Sequence, residues 1–159
     1  MCSIVSVVVK KKREMKELVF FTLALITLHS GFSQDLRVIT PPTAPRPIGP
    51  YSHALMKGEM LFVSGQIAID PRTGQADTAT IEDEVSRVMQ NIHAILREAG
   101  LGWENVMKTT IYTTDLKHFE TINKIYASFL KEPFPARETI QVAALPKKMH
   151  VEISVTAMK

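Results

Sequence analysis

Residues 80–100 restrict the folds open to this chain more than any other stretch. Ile81, Val85, Val88, Met89, Ile92, Ile95, Leu96 and Ala99 recur at helical spacing and make one apolar stripe. Thr80 and Asp83 stand at capping-box spacing ahead of it, and Gly100 stops the helix. A helix with one apolar stripe has one surface to cover, and the remaining segments supply it as short strands. Residues 52–56 and 60–67 read as two strands joined at Lys57, Gly58 and Glu59. In the second, Leu61, Val63 and Ile67 form one row, and Phe62, Ser64 and Gln66 the other. Gly65 interrupts the pattern, which signals close approach of another backbone or a ligand. Residues 106–114 return as a strand, and Asp115 caps a second helix with Phe119, Ile122, Tyr126 and Phe129 on one side.

Two strands close the chain. In the first, Glu138, Ile140, Val142 and Ala144 alternate with Arg137, Thr139 and Gln141. In the second, Val151, Ile153 and Val155 form a β-branched row, and His150, Glu152, Ser154 and Thr156 point away from it. If these two strands pair with their apolar rows on one core, Arg137 and Glu152 share the opposite surface. Residues 36–40 add an edge strand, kept from the centre of a sheet by Pro41, Pro42, Pro45, Pro47 and Pro50. Two helices cannot cover both faces of such a sheet. The expectation is a two-layer α+β sandwich, with a sheet carrying both helices on one face. The other face then meets solvent or another subunit.

The N-terminus has a different composition. Lys10, Lys11, Lys12, Arg13 and Lys16 precede the apolar residues 18–28, and Ser30, Gly31, Phe32 and Ser33 follow. A basic region, a short apolar segment and small residues at the end read as a secretory signal, with cleavage expected after Ser33 and Met15 as an alternative start. The apolar run is too short for a membrane span of about 20 residues, so no stable membrane anchor is expected. The division is therefore a leader at 1–33 and a single domain at 34–159, exported to the periplasm or outside the cell. The alternative is a cytoplasmic protein whose leader is a start-site artefact. The leader holds five of the 19 Lys and Arg and two of the 16 Asp and Glu, which leaves 14 of each sign in the domain. A domain without basic surplus gives no electrostatic case for nucleic-acid binding. The only cysteine, Cys2, belongs to the leader, so the domain has no disulfide and no thiol nucleophile.

Few residue patterns carry chemistry by themselves. Arg137 has a planar fork suited to a carboxylate, and equally suited to an ordinary surface salt bridge. Glu152 interrupts a β-branched strand, either because it has a function or because it lies on a solvated face. Tyr51 either orients a substrate or fills a gap beside the prolines. His53, His93, His118 and His150 show no metal-ligand spacing. No phosphate-binding glycine loop, dinucleotide fingerprint or serine elbow is present. These patterns alone reach a small α+β domain with a possible anion site.

Longer motifs go further. Ile48-Gly49-Pro50-Tyr51-Ser52, Phe62-Val63-Ser64-Gly65-Gln66-Ile67, Lys108-Thr109-Thr110-Ile111-Tyr112, Phe134-Pro135-Ala136-Arg137-Glu138-Thr139, and Leu145-Pro146 with Val151-Glu152-Ile153 occur in one order. Together they resemble the Rid family, also known as the YjgF family of reactive-intermediate deaminases and as L-PSP endoribonucleases. The resemblance implies a chorismate-mutase-like fold with a mixed sheet, assembled as a homotrimer with clefts between subunits. It implies hydrolysis of enamines and imines such as 2-aminoacrylate and 2-iminobutanoate to 2-oxo acids and ammonia, without metal or organic cofactor. Arg137 matches the residue that grips the substrate carboxylate, and Glu152 the acid that positions and activates water. Tyr51, Ser64, Gly65, Asn123 and Thr139 match other positions of the cleft, Thr139 standing where some members have cysteine. Two competing functions remain: a trimeric module that binds a small carboxylate without turnover, and an endoribonuclease, which the neutral domain disfavours.

Overall fold

The computed structural model describes residues 35–44, 47, 49–76 and 79–159. The expected leader and its cleavage point lie outside these residues. Six strands form one sheet: β1 (Leu36–Ile39), β2 (Ala54–Lys57), β3 (Met60–Gln66), β4 (Val106–Thr113), β5 (Ala136–Gln141) and β6 (Val151–Met158). Their spatial order is β1-β2-β3-β6-β4-β5, with every neighbouring pair antiparallel except β4 and β5. Helix α1 (Ile81–Glu98) follows β3, and α2 (Phe119–Ser128) links β4 to β5. A parallel neighbour requires a crossover rather than a hairpin, and α2 is that crossover.

Both helices cover one face, as the single-stripe argument requires. Val85, Val88, Met89, Ile92, Ile95 and Leu96 of α1 and Ile122 and Tyr126 of α2 are buried. They meet Leu61 and Val63 of β3, Ile111 of β4, and Val151, Ile153, Val155 and Ala157 of β6. The start of α1 is fixed by Thr80, whose Oγ1 accepts from Asp83 N at 3.1 Å. Its end is fixed by Gly100, at φ 78°, after which Leu101 N donates to Leu96 O.

Glu84, in the first turn of α1, is 1% exposed. Its Oε1 accepts from His150 N at 2.6 Å and Val151 N at 2.7 Å, and its Oε2 lies 2.9 Å from His150 Nδ1. Hydrogen bonds to a charged acceptor contribute about 1.5–3 kcal/mol each, so a carboxylate can be kept in the core here. It joins the helix layer to the entry of β6.

Four sequence expectations change. First, β5 does not pair with β6; β4 lies between them. Second, β5 is an edge strand that ends at Gln141, before Val142 and Ala144, and Ile140 is 42% exposed. Its apolar row looks outward and builds no core. Third, a register shift between Val63 and Gln66 inserts a bulge into β3, so Gln66 turns inward and is buried while Ile67 is only half-buried. Gln66 Nε2 donates to Ser64 O at 3.0 Å and to Gly65 O at 3.3 Å, satisfying carbonyls that the bulge removes from the ladder. Fourth, Asp115 caps a 3₁₀ turn, Leu116–His118, that leads into α2, rather than α2 itself.

Candidate active site

The first strand to consider is β6, because it places Glu152. Val151 and Ile153 are buried toward the helices, so Glu152 between them projects to the open face, where its register partner is Tyr112. A cavity of about 320 Å³ opens there, lined by Tyr51, Ser64, Gly65, Ile67, Pro146 and Glu152. The bulge in β3 forms its floor. Ser64 Oγ donates to Ser52 O at 2.7 Å, holding β3 to the segment that carries Tyr51. Tyr51 is exposed at the rim.

Gly65 has a specific reason to be glycine. A Cβ at this position would fall on the Glu152 carboxylate, 2.7 Å from its Cδ. Burial pushes the Glu152 carboxyl above its ordinary value. Directly after Pro146, which lines the cavity, Lys147 and Lys148 take left-handed backbone conformations, with φ of 55° and 59°.

Gly65→Ala is expected to push the carboxylate aside. The clash involves the end of a flexible side chain, so the melting temperature should move by only a few degrees, while kcat/KM of any reaction that uses this carboxylate should fall at least about tenfold. Kinetics combined with a thermal melt checks this, and an unchanged kcat/KM would show that the carboxylate needs no such placement.

Arg137 is elsewhere. On β5 it is in register with Thr109 of β4, which is 1% exposed beneath α2. The arginine therefore lies on the helix-covered side at the sheet edge. Its Nη1 donates to Asn123 Oδ1 at 2.7 Å, and its guanidinium carbon lies 5.2 Å from the Tyr126 ring centroid and 5.9 Å from that of Phe119. A second cavity, of about 380 Å³, is lined by Asn123, Tyr126, Ala127, Phe134, Pro135 and Arg137. Among the described residues no carboxylate forms an ion pair with Arg137. Thr139, two residues along β5, shares its side, and its Oγ1 is buried without a hydrogen bond among the described residues.

The expectation that Arg137 and Glu152 share one surface of the sheet is thus incorrect. It assumed that β5 and β6 pair and that the row of Ile140 faces the core. With β4 between them and Ile140 facing out, the two residues are on opposite faces. Tyr51, Ser64, Gly65 and Glu152 gather in one cavity; Asn123 and Arg137 gather in the other, with Thr139 beside them. Sequence reasoning missed Phe119 and Tyr126 as neighbours of Arg137, having assigned them to a packing row. The available signal was Asn123 at i+4 from Phe119, a polar residue on the same helical side.

A mixed six-stranded sheet with two helices on one face, a carboxylate cavity on the open face and an arginine at the parallel edge define a small α+β domain with two separate polar half-sites. The sequence profile of the family Endoribonuclease L-PSP matches residues 41–159. A RutC family protein of Pyrococcus horikoshii is 43% identical over 122 residues, covering 77% of this chain and 97% of the relative. The human 2-iminobutanoate/2-iminopropanoate deaminase is 42% identical over 123 residues, covering 77% and 90%. Among solved structures, Escherichia coli TdcF with bound serine superposes with a TM-score of 0.74 at 38% identity, covering 77% of this chain and 98% of TdcF. RidA from an Antarctic Psychrobacter gives 0.75 at 36% identity, covering 77% and 99%. The chain belongs to the Rid family, the family of YjgF and endoribonuclease L-PSP.

Proposed function

We propose that this protein hydrolyses 2-imino acids, formed from enamines such as 2-aminoacrylate, to 2-oxo acids and ammonia. The observation that carries the reading is the Glu152 cavity, where a half-buried carboxylate with a raised pKa faces open space beside the Ser64–Gly65 bulge. The human relative of that activity supports it. An enamine first gains a proton at carbon and becomes an imine. Water then adds to C2, and the resulting carbinolamine expels ammonia, leaving the 2-oxo acid. Arg137 holds the substrate carboxylate and fixes the plane of C2, and Glu152 takes the proton of the attacking water and returns it to the leaving nitrogen.

Because the two residues lie on opposite faces within a chain, this chemistry needs Arg137 of one copy beside Glu152 of the next. A homotrimer with the sites at its interfaces meets that need. Support comes from the open face, where Leu36, Val38, Phe62, Ile140 and Met158 are exposed on the side of the sheet away from the helices. A row of this kind is characteristic of a surface that another subunit covers.

The test mixes Arg137→Ala and Glu152→Gln subunits, each inactive alone, and measures decay of 2-iminobutanoate generated by an amino-acid oxidase. Mixed assemblies contain intact Arg137–Glu152 pairs and should regain a substantial fraction of native activity. No recovery after subunit exchange has been verified would refute the shared site. TdcF holding serine, a saturated amino acid, favours a second reading in which this site binds a carboxylate without turnover. Ligand binding by the native protein with no faster imine decay would establish that reading instead. Export through residues 1–33 is a separate proposal, checked by the mass of the mature N-terminus.

A further inference from the structure

Phe119, Asn123 and Tyr126 fall at i, i+4 and i+7 of α2, so one side of the helix presents an aromatic, an amide and an aromatic to the sheet edge. Arg137 lies against all three. Its guanidinium carbon is within cation–π range of both rings, at 5.9 and 5.2 Å, and Nη1 is bonded to the Asn123 carbonyl oxygen. The row is itself anchored. Tyr126 is 5% exposed and its hydroxyl donates to Thr109 Oγ1 at 3.0 Å, connecting α2 to the strand beside β5.

An arginine on an edge strand loses much rotamer freedom when it grips a ligand. Here that ordering is already present. Asn123 occupies one Nη1 hydrogen and the two rings flank the guanidinium, which leaves the Nε–Nη2 edge for the two parallel hydrogen bonds of a carboxylate. We propose that this row of α2 is a cradle that sets the orientation of Arg137 for an anionic substrate, with Tyr126 and Phe119 as positioning residues. The proposal rests on the reading of Arg137 as the carboxylate clamp.

A pre-ordered clamp binds ground state and transition state alike, so its loss should appear in KM rather than kcat. Tyr126→Leu is expected to raise KM for 2-iminobutanoate about tenfold, with kcat within about twofold of native. Tyr126→Phe keeps the ring and loses only the hydroxyl, and should bring KM back to within about twofold. Phe119 is 38% exposed, so Phe119→Leu tests the cradle without disturbing the core and should raise KM about threefold. It decides the matter if Tyr126→Leu does not fold. The Kd for the product 2-oxobutanoate should follow the same order, which keeps the test independent of turnover. Native KM and Kd in Phe119→Leu and in folded Tyr126→Leu, with activity lost in Arg137→Ala, would overturn the cradle and leave the clamp standing. Native activity and Kd in Arg137→Ala would overturn the clamp, and the cradle with it.

Discussion

Arg137→Ala should lower kcat/KM for 2-iminobutanoate by about 10²–10³-fold, equivalent to about 2.7–4.1 kcal/mol. The size follows from what is removed. In the proposed reaction a bidentate guanidinium–carboxylate contact supplies both binding energy and the orientation of C2, and a lysine cannot reproduce its geometry. Arg137 is exposed, and among the described residues it bonds to Asn123 and to no carboxylate. The fold should therefore hardly register the change, and the melting temperature should stay within a few degrees of native. The measurement is a steady-state imine-decay assay corrected for spontaneous hydrolysis. A rate near native would remove Arg137 from the mechanism.

Glu152→Gln should cost about 10²–10⁴-fold, mostly in kcat, because glutamine keeps the shape and hydrogen bonding of the side chain but cannot accept a proton. The native pH profile carries a related expectation. Burial raises the Glu152 carboxyl above its reference value of 4.5, and the proposed reaction needs the ionised form. Activity should then fall as pH drops through the value at which this carboxyl takes up its proton, and that acid limb of kcat/KM disappears in Glu152→Gln. The stability linkage runs the other way. A carboxyl whose folded pKa exceeds its unfolded value stabilises the fold fully below the unfolded pKa, and that contribution is lost as pH rises through the folded one. The proposed catalysis and the stability of the fold thus draw on opposite protonation states of this side chain. An acid limb that persists in Glu152→Gln would assign the titration to another group.

Much of the fold could be read from local pattern. The helix at residues 80–100 was legible because capping residue, stripe and terminal glycine all agree, and the structure places each as expected. The hairpin at Gly58 and the edge strand before the prolines were legible for similar reasons. Strand order was not. Ile140 and Val142 alternate like a core row, and nothing local reveals that the strand after α2 will lie parallel to β4 at the sheet edge. That choice is set by the crossover, a property of three elements together, and it moved Arg137 to the helix side. The bulge at Gly65 was signalled by glycine, but its effect, reversing Gln66 and Ile67, depends on a register that only the paired strand β6 defines. The candidate site residues came from the family resemblance, and their division between two cavities followed the topology.

Glu84 gives β6 a fixed point of reference. The backbone amides of His150 and Val151 both end on its buried Oε1, and Glu152 is the next residue. The neighbouring loop, with its two left-handed lysines, connects to β6 just ahead of that attachment. Between that loop and Glu152 the backbone is therefore bonded to a side chain of the opposite layer. The backbone that carries the carboxylate is thus tied to α1 through the core.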